Sequence, residues 1–208
     1  MRILAVDTCL PACSAAVIDG NAILAAASEP MVKGHQERLA TMVREVTRHA
    51  GVGFADLDRI AVTVGPGSFT GLRVGVAFAK GLASALGVPC VGVGTLEALA
   101  AEEPGVAAAV VDAKRGQVYL QVFEDGRALT EPEALPLDEA AARLVELRPT
   151  TLVGSGAPLL APALPGARVD HRTTPDPAAI ARIAAKVGSP EPVKPLYLRA
   201  PDARPSAA

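Results

Sequence analysis

Few residues in this 208-residue sequence have the types and spacing to do chemistry. His35-Gln36-Glu37 sets an imidazole and a carboxylate near a helix start. A metal grip on one helix face wants a second His four residues on, and that position is Leu39. One His with one Glu is too few ligands, so no metal is expected. Gly65-Pro-Gly-Ser-Phe-Thr-Gly71 could offer amides to an anion at a helix N-terminus, but it lacks the Gly-Lys-Ser/Thr ending of a P-loop. Gly154-Ser-Gly-Ala157 is only a thin match to an adenosine-binding loop. Ser68 lies outside a Gly-x-Ser-x-Gly elbow, and His35, His49 and His171 give it no persuasive base. No catalytic residue is assigned.

The elements that must position these residues follow from the apolar pattern. Residues 60–64 form a short β-branched run, and Gly65-Pro66-Gly67-Ser68 breaks it. Thr70 then caps a helix that runs to Leu86 and stops at Gly87. The polar positions of this helix are Arg73, Lys80 and Ser84; nearly all the rest is small or apolar. A helix on the outside of one sheet should show a wide polar face, so this one is expected to be covered on more than one side. Gly71, Gly75, Ala79 and Ala83 recur every four residues, a stripe that another backbone can approach. Gly75→Arg is accordingly expected to break pairing and spare the monomer.

Upstream, strands are predicted over 2–6, 13–18 and 22–27, with Asp7 closing the first and Asp19-Gly20 a hairpin turn. A helix starts at His35 or Gln36 and reaches Ala50, with Leu39, Met42, Val43 and Val46 at helical spacing. A strand over 88–93 and a short helix over 95–101 follow. At Pro104-Gly105 the pattern begins again. A strand over 106–111 closes at Asp112, a turn over 113–116 leads to a strand over 117–123, and Asp125-Gly126 is a second hairpin turn. Then come a helix over 138–147, a strand over 151–153, and helices near Pro158 and over 177–187. The reading is an α/β internal duplication, with one lobe over 1–103, a second over 104–199 and a flexible tail over 200–208.

Composition narrows the class. Half the residues are hydrophobic but only 3% are aromatic, with no Trp, so the core is built from Ala, Val, Leu and Ile. A net charge of −2 gives no general attraction to phosphate backbones and disfavours free-standing nucleic-acid binding. No segment has the roughly 18 unbroken apolar residues of a membrane span, and the apolar start is too short for a signal peptide. Cys9, Cys13 and Cys90 are odd in number, lack Cys-x-x-Cys spacing, and fit free thiols in a reducing, cytoplasmic setting.

Two lobes, each opened by a strand ending in Asp, resemble the ribonuclease-H-like lobes of the actin/Hsp70/sugar-kinase (ASKHA) superfamily. The resemblance sharpens in Ile3-Leu-Ala-Val-Asp-Thr8, Ala12-Cys-Ser-Ala15, His35-Gln-Glu-Arg-Leu39, Gly65-Pro-Gly-Ser-Phe-Thr-Gly-Leu-Arg-Val-Gly75, Ala79-Lys-Gly-Leu82, Gly94-Thr-Leu-Glu-Ala98, Val111-Asp-Ala-Lys-Arg-Gly-Gln-Val-Tyr119 and Pro195-Leu-Tyr-Leu-Arg199. Together these runs resemble the TsaB (YeaZ) family, densely over 60–101 and thinly over 130–185. The resemblance implies a non-catalytic subunit without a cofactor of its own. The family is needed to form N6-threonylcarbamoyladenosine at position 37 of tRNAs reading codons that begin with A. It implies a heterodimer with the transferase TsaD, which binds metal and nucleotide, a larger complex with the ATPase TsaE, and a homodimer when alone. Contact with tRNA is indirect or minor, and no membrane is involved. Catalytic relatives carry His-x-Glu-x-His where this chain has His35-Gln-Glu-Arg-Leu39, and the missing second His argues against catalysis.

In the superfamily the turn after the first strand wraps phosphate with an acid, a glycine and hydroxyls. Here Asp7-Thr-Cys-Leu-Pro11 lacks the glycine. Asp7, Thr8, Gly67, Ser68 and Asp112 remain the candidates for a loop that holds a nucleotide or anion weakly, and a nucleotide at a subunit junction stays open. The resemblance further implies that the first two long helices pack against the matching pair of another subunit, as half of a four-helix bundle. The expected partner residues are Arg38, Leu39, Met42, Gly71, Leu72, Gly75, Val76, Ala79, Lys80 and Ala83, with Arg38, Arg73 and Lys80 as rim charges. The competing reading is an ATP-dependent transferase or kinase of the same superfamily with its own nucleotide site. A metalloprotease-like hydrolase comes last, for want of ligands.

Overall fold

A computed structural model describes residues 1–199; the tail expected over 200–208 lies outside the described residues. The chain opens with an antiparallel meander of β1 (Arg2–Asp7), β2 (Ala12–Asp19) and β3 (Ala22–Pro30). Helix α1 (His35–His49) crosses over to β4 (Arg59–Thr63), and α2 (Phe69–Leu86) to β5 (Cys90–Val93); α3 (Thr95–Ala100) follows. The sheet order is β3-β2-β1-β4-β5, with β4 parallel to both β1 and β5.

The same plan recurs in the second lobe. β6 (Val106–Lys114) pairs antiparallel with β7 (Gln117–Glu124), and β8 (Arg127–Ala128) and β9 (Glu133–Pro136) both pair with β7. Helix α4 (Leu137–Leu147) leads to β10 (Thr151–Val153), α5 (Ala157–Leu160) to β11 (Arg168–Asp170), and α6 (Pro177–Lys186) closes the series. The order is β11-β10-β6-β7-β8, again with parallel strands added beside the opening one.

The first sheet is covered on both faces, which is why β1 is apolar without alternation. Leu4 and Val6 face a core shared with Leu39, Met42, Val43 and Val46 of α1 and Leu72, Val76, Ala79 and Ala83 of α2. Ile3 and Ala5 face the other way, onto Ala178, Ile180, Ala181 and Ala184 of α6. The last helix therefore packs on the first sheet. It starts at Pro177 behind Asp176, whose carboxylate accepts from the Ala178 amide at 2.9 Å. It ends with its Ala184 and Val187 carbonyls taken by the Arg59 guanidinium at 2.5 and 2.7 Å.

Most boundaries fall within three residues of the sequence expectation. The cap of α2 is different: Ser68, not Thr70, accepts from the Gly71 amide at 3.3 Å, and the helix begins at Phe69. Gly87 ends it in the left-handed conformation, φ 68°, as the sequence predicts. β8, the strand implied by the hairpin turn at Asp125-Gly126, is only two residues long, while β9 and β11, of four and three residues, are not expected from the sequence. No helix among the described residues is long and apolar enough to cross a membrane.

Candidate functional site

The first turn of α2 lies directly on the turn between β1 and β2. The Ser68 amide donates to the Cys9 carbonyl at 2.7 Å, and the Thr8 hydroxyl donates to the Gly71 carbonyl at 2.7 Å. A Cβ on Gly67 would sit 2.3 Å from the Cys9 oxygen, and one on Gly71 2.0 Å from the Thr8 oxygen. These glycines are needed for that close backbone contact. Thr8 is wholly buried there. Asp7 is buried too. Its Oδ1 accepts from the Cys9 amide at 2.9 Å and from the Thr63 hydroxyl, while Oδ2 has no partner. Burial pushes the Asp7 pKa up, against the pull of those two hydrogen bonds. Burial likewise pushes the Cys9 thiol up to about 12, so it is not a nucleophile.

Gly67, Ser68 and Asp112 do meet, in a cleft of about 430 Å³ between the lobes. His35 lines it from α1, 8% exposed, with Nε2 lacking a partner. Across the cleft, partial burial of Asp112 opposes its ionisation, but Lys114 at 2.6 Å outweighs it and lowers the pKa. The Asp112 amide donates to the Ser155 hydroxyl at 3.1 Å. The end of the described chain crosses this cleft: the Leu196 amide donates to Val64 O at 2.7 Å, and Arg199 Nη1 donates to Ala113 O at 2.5 Å. Glu37 is exposed, outside the lining. Among the described residues no cluster of three or more His, Cys, Asp or Glu could hold a metal ion.

The helix pair corrects the expected partner face. Leu39, Met42, Gly71, Leu72, Gly75, Val76, Ala79 and Ala83 are all buried within the protomer. The small stripe is consumed by the chain's own sheet and turn. A Cβ on Gly75 would lie 2.6 Å from Thr8 Oγ1, so Gly75→Arg would damage the monomer rather than spare it. Arg38 is not a free rim charge either. It is held by Glu29 at 2.5 and 2.7 Å and by Glu45 at 2.7 Å, and these carboxylates raise its pKa further. Lys80 is exposed. Beyond the small stripe α2 leaves Arg73, Ala77, Lys80, Gly81 and Ser84 exposed, flanked by Val74, Phe78 and Leu82, which are half-buried against the first core. The polar stripe of Arg73, Lys80 and Ser84 does not point to Val74, Phe78 and Leu82, which lie well round the helix from it and touch the first core.

A family model described as "TsaD: tRNA N6-adenosine threonylcarbamoyltransferase" matches residues 28–147. An uncharacterised protein of Mycobacterium tuberculosis (strain ATCC 25618 / H37Rv) is 36% identical over 207 residues, 99% of this chain and 95% of that protein. The tRNA threonylcarbamoyladenosine biosynthesis protein TsaB of Escherichia coli (strain K12) is 37% identical over 129 residues, 60% of this chain and 55% of that protein. A crystal structure from Pseudomonas aeruginosa, described as an uncharacterised protein with similarity to peptidase YeaZ, superposes with a TM-score of 0.80 at 28% identity, covering 95% of this chain and 99% of that one. With its duplicated lobes and these similarities, the chain belongs to the TsaB (YeaZ) family.

Proposed function

We propose that this chain is the accessory, non-catalytic subunit in forming N6-threonylcarbamoyladenosine on tRNA, and that it docks onto a TsaD-type transferase through the outer side of α1 and α2. The observation that carries this is the flank of α2, where Val74, Phe78 and Leu82, half-buried against the first core, keep part of their surface open next to exposed Ala77 and Gly81. Apolar surface at helical spacing gains by being covered, and two helix pairs that cover each other make a four-helix bundle. The partner positions thus move from the buried stripe to residues 74, 77, 78, 81 and 82. The names of the similar proteins support the reaction. Leu39, 1% exposed in the core, supports a non-catalytic subunit, because it stands where the catalytic relatives place a ligand. The subunit works in the cytoplasm, pairs with itself only when the transferase is missing, and admits TsaE to the larger assembly.

The test is reconstitution with tRNA, threonylcarbamoyl-adenylate and the transferase. Modification is expected only when both proteins are present. Ala77→Trp leaves the charge unchanged on an exposed site, adds bulk to the face, and should weaken pairing at least about a hundredfold with the monomer still folded. Modification by this chain alone, or full pairing by Ala77→Trp, overturns the reading.

A further inference from the structure

At the N-terminal end of α2 two distant parts of the chain meet. Val193 is buried in the first core against Gly92, and Leu196 is held by Val64. This anchoring lays Tyr197 beside the first turn of α2. The Tyr197 and Phe69 rings lie 5.3 Å apart at 37°, the Arg73 guanidinium sits 3.9 Å over the Phe69 ring, and Arg73 Nε donates to the Tyr197 hydroxyl at 3.1 Å. The assembly is nonetheless open to solvent, with Phe69 37% and Tyr197 44% exposed. The terminal nitrogens of Arg73 make no hydrogen bond or ion pair among the described residues.

Phe69, Arg73, Ala77 and Lys80 follow one another at helical spacing and are all exposed. On α1, the side turned away from the same sheet carries exposed Arg44 and Arg48. None of Arg44, Arg48, Arg73 and Lys80 has an acidic partner among the described residues. Other arginines of this net-negative chain, such as Arg38, Arg143, Arg172 and Arg182, do.

We propose that the Phe69–Arg73–Tyr197 cluster is the charge-reading end of the docking face, and that its occupant is a protein with an apolar helix surface and an acidic rim, one carboxylate of which pairs with Arg73. This rests on the docking reading above. A guanidinium stacked on one ring and tethered by a second has already lost much of its rotamer freedom, so less is lost when it grips a carboxylate through two N–H groups. Tyr and Arg are also the side chains that dominate binding energy at interfaces. A second copy of this chain is a poorer occupant, because a two-fold contact across α2 brings Arg73 and Lys80 towards the same cations. A phosphate backbone is poorer as well, since it would leave Val74, Phe78 and Leu82 uncovered.

The test measures the affinity of the full-length chain for the transferase by calorimetry between about 50 and about 300 mM NaCl. Arg73→Lys keeps the charge but loses the fork and the stacking, and should bind about tenfold more weakly. Arg73→Gln should bind as weakly or worse, with a flatter salt dependence. Tyr197→Phe removes only the hydroxyl tether and should cost about threefold. Wild-type affinity in Arg73→Lys and Tyr197→Phe, with Ala77→Trp unable to bind, overturns this proposal and leaves the docking reading standing. Wild-type affinity in Ala77→Trp removes the docking reading and this proposal with it. If Arg73→Gln and Lys80→Gln instead lose affinity only for tRNA offered to this chain alone, the surface reads RNA and the proposal is overturned.

Discussion

Asp7 is a carboxyl whose surroundings disfavour its charge. Burial raises its pKa above the ordinary carboxylate value, so the folded protein holds a proton that the unfolded chain gives up. Its contribution to stability is therefore complete below the unfolded pKa and is lost as pH rises from there through the folded pKa. Asp7→Asn keeps an oxygen to accept from Cys9 and Thr63 and never ionises. The stability of Asp7→Asn relative to wild type should rise with pH over that window, read by urea unfolding from about pH 4 to about pH 8. A difference that stays flat or falls with pH would contradict the burial of this acid. The acid at a strand end was legible in the sequence. Its enclosure was not, because Thr63 reaches it from 56 residues away and no local pattern encodes that meeting.

At the scale of the element, α2 shows why a helix is easier to read than its facing. The strand–loop–helix order and the glycine stop came from local turn chemistry, so they could be seen in the sequence. Which neighbour uses the small residues could not be seen, since a stripe of Gly71, Gly75, Ala79 and Ala83 suits either a partner helix or the chain's own backbone. The structure gives it to the chain's own turn and sheet, and the docking reading moves to the adjoining face. Two glycines of the same helix should thus respond in opposite directions. Gly71→Ala drives a methyl into the Thr8 carbonyl and should cost about 2–3 kcal/mol. Gly81→Ala meets nothing within 4 Å and should gain about 0.4–1 kcal/mol by restricting the unfolded chain. Thermal unfolding of the two variants checks both signs, and a stable Gly71→Ala would refute the close contact of α2 with the β1–β2 turn.

The whole molecule repeats one sheet plan twice and then binds the copies together. The apolar runs made the duplication legible as far as Phe123, but the later strands are too short to carry a period. The return of α6 to the first sheet was hidden, since its Ala and Ile residues would suit either lobe. Glu103 is a second tie. It stands where the chain passes between lobes, its side chain 4% exposed, paired with Arg168 and Arg172 of the second lobe. Both arginines also reach Asp170, at 3.6 and 3.1 Å, so the four groups form one network. Glu103→Gln keeps the shape and removes the charge, leaving Asp170 as the counter-ion. It should cost about 1.5–3 kcal/mol, the range for hydrogen bonds to charged groups. Arg168→Gln should cost less, because Arg168 is the more exposed partner. The double variant should lose less than the sum of the singles, since each removes the same bond. Urea unfolding of all four proteins closes the cycle, and strict additivity would mean that Glu103 and Arg168 do not hold the lobes together.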